Sequence, residues 1–205
     1  MKQISIRSTR YASLIPMLLG SLIIFTAAAF GSVVQKSATS SASAAGDRKT
    51  VATFLNRAKG YVKQRNRVES KLPKLSKDST PEQIAAHKKS FEDGVRLARA
   101  GAKPGDIFMS GTAEYLRRLI RTEFKGQDRA EVKEVILDAE TGGIPLKVNF
   151  PYPETKEVST VPPTLLLKLP QLPKELNYRF VGRHMLLVDK ENGLILDYML
   201  NTLPK

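Results

Sequence analysis

The strongest constraint on the fold is an abrupt change of sequence pattern near Gly142-Gly143. Before this point apolar residues recur every three or four positions, whereas seven prolines lie between Pro145 and Pro173. Short runs suited to β-strands follow. Helices first and strands later is the order typical of α+β proteins. We therefore predict an α+β fold with an N-terminal bundle of three to four helices, an extended Pro/Leu-rich segment and a small C-terminal three-stranded antiparallel β-meander.

The first predicted helix starts at Asp47 and is ended by Pro73. Apolar residues occur along it at helical spacing, from Val51 and Phe54 to Leu72. Its other face is strongly basic, and this face carries Arg48, Lys49, Arg57, Lys59, Lys63, Arg65, Arg67 and Lys71. Such a helix is either an ordinary solvated surface helix or one that lies against anionic headgroups.

Further helices are predicted from capping and turn residues. Thr80-Pro81-Glu82-Gln83 is typical of a capping box with proline at the first helical position. The turn Lys103-Pro104-Gly105-Asp106 precedes a third helix, which starts near Ser110 or Gly111. A short fourth helix is expected from Arg129 to Asp138.

The remainder of the chain is predicted to be extended and then β. The leucines between Pro162 and Pro173 are too numerous for a solvated linker, so we expect them to pack on the helices. Gly182-Arg183 and Asn192-Gly193 are expected to be the turns of the meander. Apolar strand residues should form the face that packs on the helices, namely Phe180, Leu186, Val188 and Ile195.

An export segment is indicated at the start of the chain. Three basic residues precede Tyr11 to Gln35, a run of 25 residues without charge. This layout is that of a secretory signal, but the run is also long enough for an uncleaved membrane anchor, so both alternatives stay open. We predict a signal peptide or signal anchor over 1–31, a Ser/Ala-rich flexible linker over 32–46, a helical region over 47–143, and a Pro-rich segment with the β-meander over 144–205. The last two regions should form one domain, in the periplasm or secreted, or tethered to the inner membrane.

Composition narrows the classes of partner and chemistry. The chain contains no cysteine, which excludes disulfides and thiolate metal sites. Its formal net charge is +13; four basic residues lie before Asp47, which leaves 29 basic residues against 20 acidic ones. Export makes nucleic acid an unsuitable partner for this charge, so an anionic envelope surface is favoured. The alternative is that the net charge serves only solubility.

No linear motif for catalysis or cofactor binding is present. His87 and His184 are far apart and lack metal-ligand spacing to other residues. The carboxylate pairs Asp138 with Glu140 and Asp189 with Glu191 are interpreted as cap and turn residues. We therefore predict no catalytic, cofactor-binding or metal-ligating residues and a non-enzymatic function.

Two resemblances concern the C-terminal half. The run 172–183, followed by Leu187-Val188-Asp189 and Leu194-Ile195-Leu196-Asp197, resembles the C-terminal signature of a family of exported bacterial proteins of uncharacterised function. That family also shares a Gly105-Asp106-Ile107-Phe108 turn before an arginine-rich helix. The final thirty residues are similar to small periplasmic proteins of nickel and cobalt homeostasis. The first resemblance implies export, and the second implies a role in metal homeostasis.

These observations lead to one main functional hypothesis and two alternatives. The main hypothesis is an exported, non-catalytic envelope protein that binds an anionic envelope component or a protein partner. Arg117, Arg118 and Arg121 are the candidate contact residues, and contact with the membrane is expected only through the N-terminal segment or the first basic helix. One alternative is an accessory factor of periplasmic metal or stress homeostasis. The other is a hydrolase without a linear motif.

Overall fold

The computed structural model describes residues 28–125, 146–153 and 159–204, and it describes the side chains of the first helix from residue 43 onwards. The chain divides into two units, Met1–Ser41 and Ala42–Lys205, and the contacts below all lie within the second. The described elements are α1 (Ala28–Glu69), α2 (Pro81–Ala98), α3 (Ser110–Glu123), α4 (Pro163–Lys168), β1 (Leu176–Val181), β2 (His184–Asp189) and β3 (Ile195–Met199). The strands form an antiparallel sheet in the order β1-β2-β3. The predicted α+β class and three-stranded meander are confirmed.

Helix α1 is longer than the sequence pattern predicts. Its bounds, Ala28–Glu69, include residues 32–46, where we expected a flexible linker. A helix is locally permitted here, because four of the fifteen residues are alanine, the best helix former, and no proline lies between Pro16 and Pro73. Within the described ranges, no helix combines the length and apolar character needed to cross a membrane. Residues 1–27, which hold most of the predicted export segment, lie outside the described residues.

Helix α2 begins as its capping sequence predicts. The Thr80 hydroxyl accepts a hydrogen bond from the Gln83 backbone N–H at 3.3 Å, and the Gln83 side chain accepts one from the Thr80 N–H at 2.9 Å. These reciprocal bonds satisfy two amide donors at the helix start. Gly94 allows α2 to approach α1 closely, since a Cβ atom at this position would lie 2.6 Å from Val68 Cγ1. A glycine in the middle of the helix is thus explained by packing.

The sheet is covered on both faces. One face joins the main core with the three long helices, and this core includes Phe54, Phe91, Leu116, Met185 and Leu187. The opposite face forms a second cluster around the buried Tyr152, and its members include Leu186, Val188 and Ile195. The prediction that these last three residues face the helices is therefore wrong, whereas Phe180 does face them. Because both faces of β2 are buried, the sequence contains no polar alternation that would distinguish them.

The proline-rich segment is only partly extended. Residues 146–153 run alongside the β2–β3 hairpin, where the Asn149 N–H donates to the Ile195 carbonyl at 2.8 Å and the Tyr152 N–H to the Gly193 carbonyl at 3.0 Å. Residues 163–168 are helical rather than extended, because a proline at the first helical position favours the start of a helix. The predicted helix from Arg129 to Asp138 lies outside the described residues.

Candidate functional site

The three arginines predicted as contact residues lie on the solvent side of α3 but differ in their surroundings. Leu116 and Ile120 turn inward to the core, which leaves Arg118 and Arg121 exposed and Arg117 half-buried. Arg118 forms an ion pair with Asp47 of α1, and its guanidinium lies 5.6 Å from the centre of the Tyr115 ring. Arg118 therefore connects α3 to α1.

Arg117 and Arg121 are less engaged than Arg118. They are one helical turn apart, and neither has a hydrogen bond or ion pair within the part of the chain that the structure describes. Exposed Glu114 precedes Arg117 by three positions and therefore lies on a neighbouring part of the same surface. The predicted triplet is thus reduced to two available cations beside one carboxylate.

A stronger concentration of positive charge lies on α1. Lys59, Lys63 and Arg67 recur every four residues of α1, and Lys71 follows in the turn just after the helix ends at Glu69; all four are exposed. Residues four apart are neighbours on a helix surface, so the first three side chains form one stripe, and together with Lys71 we call it the α1 basic face. The helical part of the stripe spans about 12 Å at 1.5 Å per residue. Its location is that of the basic surface expected from the sequence.

The acids of α1 do not neutralise this face. Residues 43–71 contain two carboxylates, Asp47 and Glu69. Asp47 is paired with Arg118 of α3, and Glu69 lies 3.4 Å from the guanidinium of Arg65. Among the described residues, no ion pair involves the four cations of the α1 basic face. The stripe therefore keeps uncompensated positive charge at a solvent boundary.

Two other arginines predicted on the basic side of α1 have structural contacts. Arg65 is buried, with only 5% of its side chain exposed, so its assignment to a solvated face is wrong. The spacing Phe54, Ala58, Tyr61, Arg65 places it on the buried stripe of the helix. Arg57 is exposed and donates a hydrogen bond to the Asp106 carbonyl oxygen at 2.7 Å.

Arg65 is the centre of a buried network with β2. Its Nε atom lies 2.9 Å from Asp189 Oδ2, although its N–H is not aimed well enough to count as a hydrogen bond. Glu191 also pairs with the guanidinium, and the Tyr61 hydroxyl donates to Asp189 Oδ2 at 2.6 Å. Burial opposes the positive charge of Arg65, but the attraction of Asp189, Glu191 and Glu69 outweighs it and raises its pKa. Burial, followed by the negative charge of Asp189, raises the pKa of Tyr61.

This network explains the carboxylate pair of the β2–β3 hairpin. Asp189 and Glu191 converge on Arg65, and Asp189 Oδ1 also accepts the Glu191 N–H at 2.9 Å. Both acids are engaged in ion pairing, and Asp189 fixes the turn as well, in agreement with the interpretation of the pair as turn residues. Asp138 and Glu140 lie outside the described residues.

Asp197 has a similar structural role at the turn before α3. It is fully buried, and its two carboxylate oxygens accept the N–H groups of Gly105, Ile107 and Phe108 at 2.7–2.9 Å. Gly105 has a φ of 88°, a left-handed conformation that glycine adopts readily. The Gly105-Asp106-Ile107-Phe108 pattern and the final Leu-Ile-Leu-Asp pattern are thus two halves of one contact.

The histidines do not form a metal centre in the described part of the chain. His184 Nδ1 accepts the Asn201 N–H at 3.1 Å, and partial burial, with a smaller effect of nearby Arg183, lowers the pKa of His184. His87 lines a surface groove between α2 and the loop that precedes it. No group of three or more His, Cys, Asp or Glu residues in the described ranges is placed to hold a metal ion.

Comparison with known proteins adds no assignment, because no protein-family model, no curated protein and no solved structure matches the chain. The α1 basic face carries four exposed cations that have no ion pair among the described residues.

Proposed function

We propose that the chain is an exported, non-catalytic envelope protein whose folded unit binds an anionic envelope surface, namely phosphate-bearing lipid headgroups, through the α1 basic face. The observation that carries this proposal is the stripe of four exposed cations without acidic partners among the described residues. Basic start residues followed by the uncharged run Tyr11 to Gln35 support export. Arg117 and Arg121 are secondary contact residues.

The geometry of the stripe suits a flat anionic surface better than a small anion. The apolar side of α1 is already buried in the core, so this helix offers the outside surface its polar side only. Each Lys or Arg close to an anionic membrane contributes about 1 kcal/mol of attraction at physiological salt. Three cations along one side of α1, with Lys71 in the turn that follows, can act together on such a surface. The attraction should weaken as salt rises, because the Debye length falls to about 8 Å at 0.15 M.

Reversing three charges of the α1 basic face tests the proposed contact. The variant Lys59→Glu/Lys63→Glu/Arg67→Glu is expected to bind vesicles containing anionic phospholipid about 100-fold more weakly or worse, because roughly 1 kcal/mol is lost for each cation removed. Binding would be measured by vesicle co-sedimentation at two salt concentrations. Neutral vesicles should bind neither protein.

A variant with the same net charge elsewhere is the matched control. Lys77, Lys103 and Lys125 are exposed and lie outside α1. Changing all three to glutamate alters the net charge equally and is expected to weaken binding less than tenfold. Equal losses in the two variants would show that binding follows net charge alone, and lack of binding by the unaltered protein would refute the proposed contact.

The export part of the proposal has its own test. A C-terminally tagged chain expressed in its native host is expected in the periplasmic or inner-membrane fraction, because the basic start and the uncharged run are recognised for export. Intact mass of the recovered protein distinguishes a cleaved signal from a retained anchor. Recovery of full-length protein with cytoplasmic markers would contradict export.

A further inference from the structure

An open groove with two exposed leucines lies between α4 and β1. Its volume is about 560 Å³. At its edge Leu166 is 48% exposed and Leu167 is 85% exposed, although we expected the leucines of this segment to pack on the helices. Leu165 of the same helix is completely buried, so α4 is held in place while its neighbours face solvent. The groove is therefore a concave surface with an unburied apolar edge.

Most residues that line the groove are apolar. Pro170 and Pro173 contribute rings and lack backbone N–H donors. The Tyr178 hydroxyl donates to the Pro170 carbonyl at 2.9 Å, which ties this segment to β1. Leu176 and Leu169 are buried beneath the surface. Such a groove offers an incoming molecule mostly hydrocarbon contact.

Four polar residues also line the groove, namely Gln171, Asn177 and the two cations Lys174 and Lys190. Lys174 and Lys190 are both exposed, and neither ammonium group has an acid within ion-pair distance in the described part of the chain. Both lysines also line the neighbouring groove around Arg65, together with Glu69, Glu175 and Glu191, whereas none of the described acids lines the groove between α4 and β1. Known ligand sites are commonly 300–1,000 Å³, predominantly apolar and equipped with a few placed polar groups. This open groove lies in the same volume range and combines a mostly apolar lining with four polar side chains.

We propose that this groove binds a single acyl chain with an acidic head group. The hydrocarbon would cover Leu166, Leu167 and Leu172, and the carboxylate or phosphate would pair with Lys174 and Lys190. The charge of the rim is what selects an anionic amphiphile over a neutral or cationic one. This site is independent of the α1 basic face, since the two share no residue.

The absence of tryptophan from the chain allows a direct test. Leu167→Trp places a single indole at the groove, and Leu97→Trp provides a control at the C-terminal end of α2, where the leucine is similarly exposed at 78%. Each variant is titrated with dodecanoate and with dodecyltrimethylammonium below their micelle concentrations. For Leu167→Trp we expect dodecanoate to cause a saturable blue shift of the tryptophan fluorescence emission, with a dissociation constant at least tenfold lower than that of the cationic amphiphile. For Leu97→Trp we expect no saturable shift of the emission.

Charge variants separate this site from the proposed function. In the Leu167→Trp background, Lys174→Glu/Lys190→Glu should weaken dodecanoate binding at least tenfold, whereas reversal of the α1 basic face should leave it unchanged. If dodecanoate binding were lost only in the variant of the α1 basic face, the groove assignment would be overturned. Failure of vesicle binding with intact dodecanoate binding would instead refute only the headgroup contact on α1.

A measurement on the unaltered protein guards against the indole filling the groove itself. Calorimetric titration with dodecanoate should show saturable binding with one ligand per chain, and with dodecyltrimethylammonium it should not. If neither amphiphile gives a heat of binding, the proposal is overturned. Equal binding of both, or a response to anionic vesicles but not to dodecanoate, also overturns it.

Discussion

Replacing Asp197 with alanine is expected to lower the free energy of unfolding by about 4 kcal/mol or more, enough to unfold a marginal domain. The carboxylate accepts three N–H groups from the turn before α3, and two of these donors, Ile107 and Phe108, belong to buried residues. Removing the acceptor leaves buried donors without partners, each at a cost of about 1–3 kcal/mol. Urea unfolding of the purified protein, followed by circular dichroism, measures the change.

Two comparisons make the Asp197 result interpretable. Asp197→Asn keeps the volume but replaces one accepting oxygen with a donor, so about half of the loss is expected. Asp78→Ala removes an exposed carboxylate from the loop before α2 and should change the unfolding free energy by less than about 0.5 kcal/mol. If Asp197→Ala unfolded at the same urea concentration as the parent protein, the hydrogen bonds to this turn would not be the stabilising contact inferred here.

Replacing Arg65 with methionine is expected to cost about 3–5 kcal/mol of unfolding free energy. The substitution keeps an unbranched side chain in the α1–β2 contact but leaves the fully buried Asp189 without its cationic partner. Glu191 loses its ion pair as well, although it is partly exposed and contributes less. The urea concentration at the midpoint of unfolding and the thermal midpoint should both fall.

The pairing of Arg65 with Asp189 can be separated from simple packing. Arg65→Met/Asp189→Asn removes both charges, so it should be more stable than Arg65→Met alone by about 1–2 kcal/mol. Arg67→Met provides the same change at an exposed position of α1 and should be neutral within about 0.5 kcal/mol. The two charges would not be coupled if the double variant lost as much unfolding free energy as Arg65→Met and Asp189→Asn together.

Local signals in the sequence predicted the local structure. Thr80 and Gln83 indicate the start of α2, and Gly105 and Gly193 indicate turns that have positive φ angles in the structure. These features depend on neighbouring residues and on conformations that few residue types adopt. The α+β class could be predicted for the same reason, because the patterns that indicate helices and strands each extend over only a few neighbouring residues.

Features decided by distant partners could not be predicted. Arg65 occupies an apolar stripe position, yet its residue type suggests solvent; the partner that allows its burial, Asp189, is more than one hundred positions away. Likewise, the sequence pattern did not separate the buried Leu165 from the exposed Leu166 and Leu167. The helical state of residues 32–46 was missed because low complexity was interpreted as flexibility.

The position of the two buried aspartates along the chain also determines when the protein can finish folding. Tyr61 contacts Asp189 across 128 residues, and Gly105 contacts Asp197 across 92. Because a polypeptide is synthesised from its N-terminus, α1 to α3 are made long before these two acids. The polar groups that pair with Asp189 and Asp197 therefore stay hydrated until then. Contacts of such high sequence separation slow folding relative to a local helical bundle. The β-meander therefore completes the unit, because the contacts of Tyr61 with Asp189 and of Gly105 with Asp197 can form only after the C-terminal strands have been synthesised.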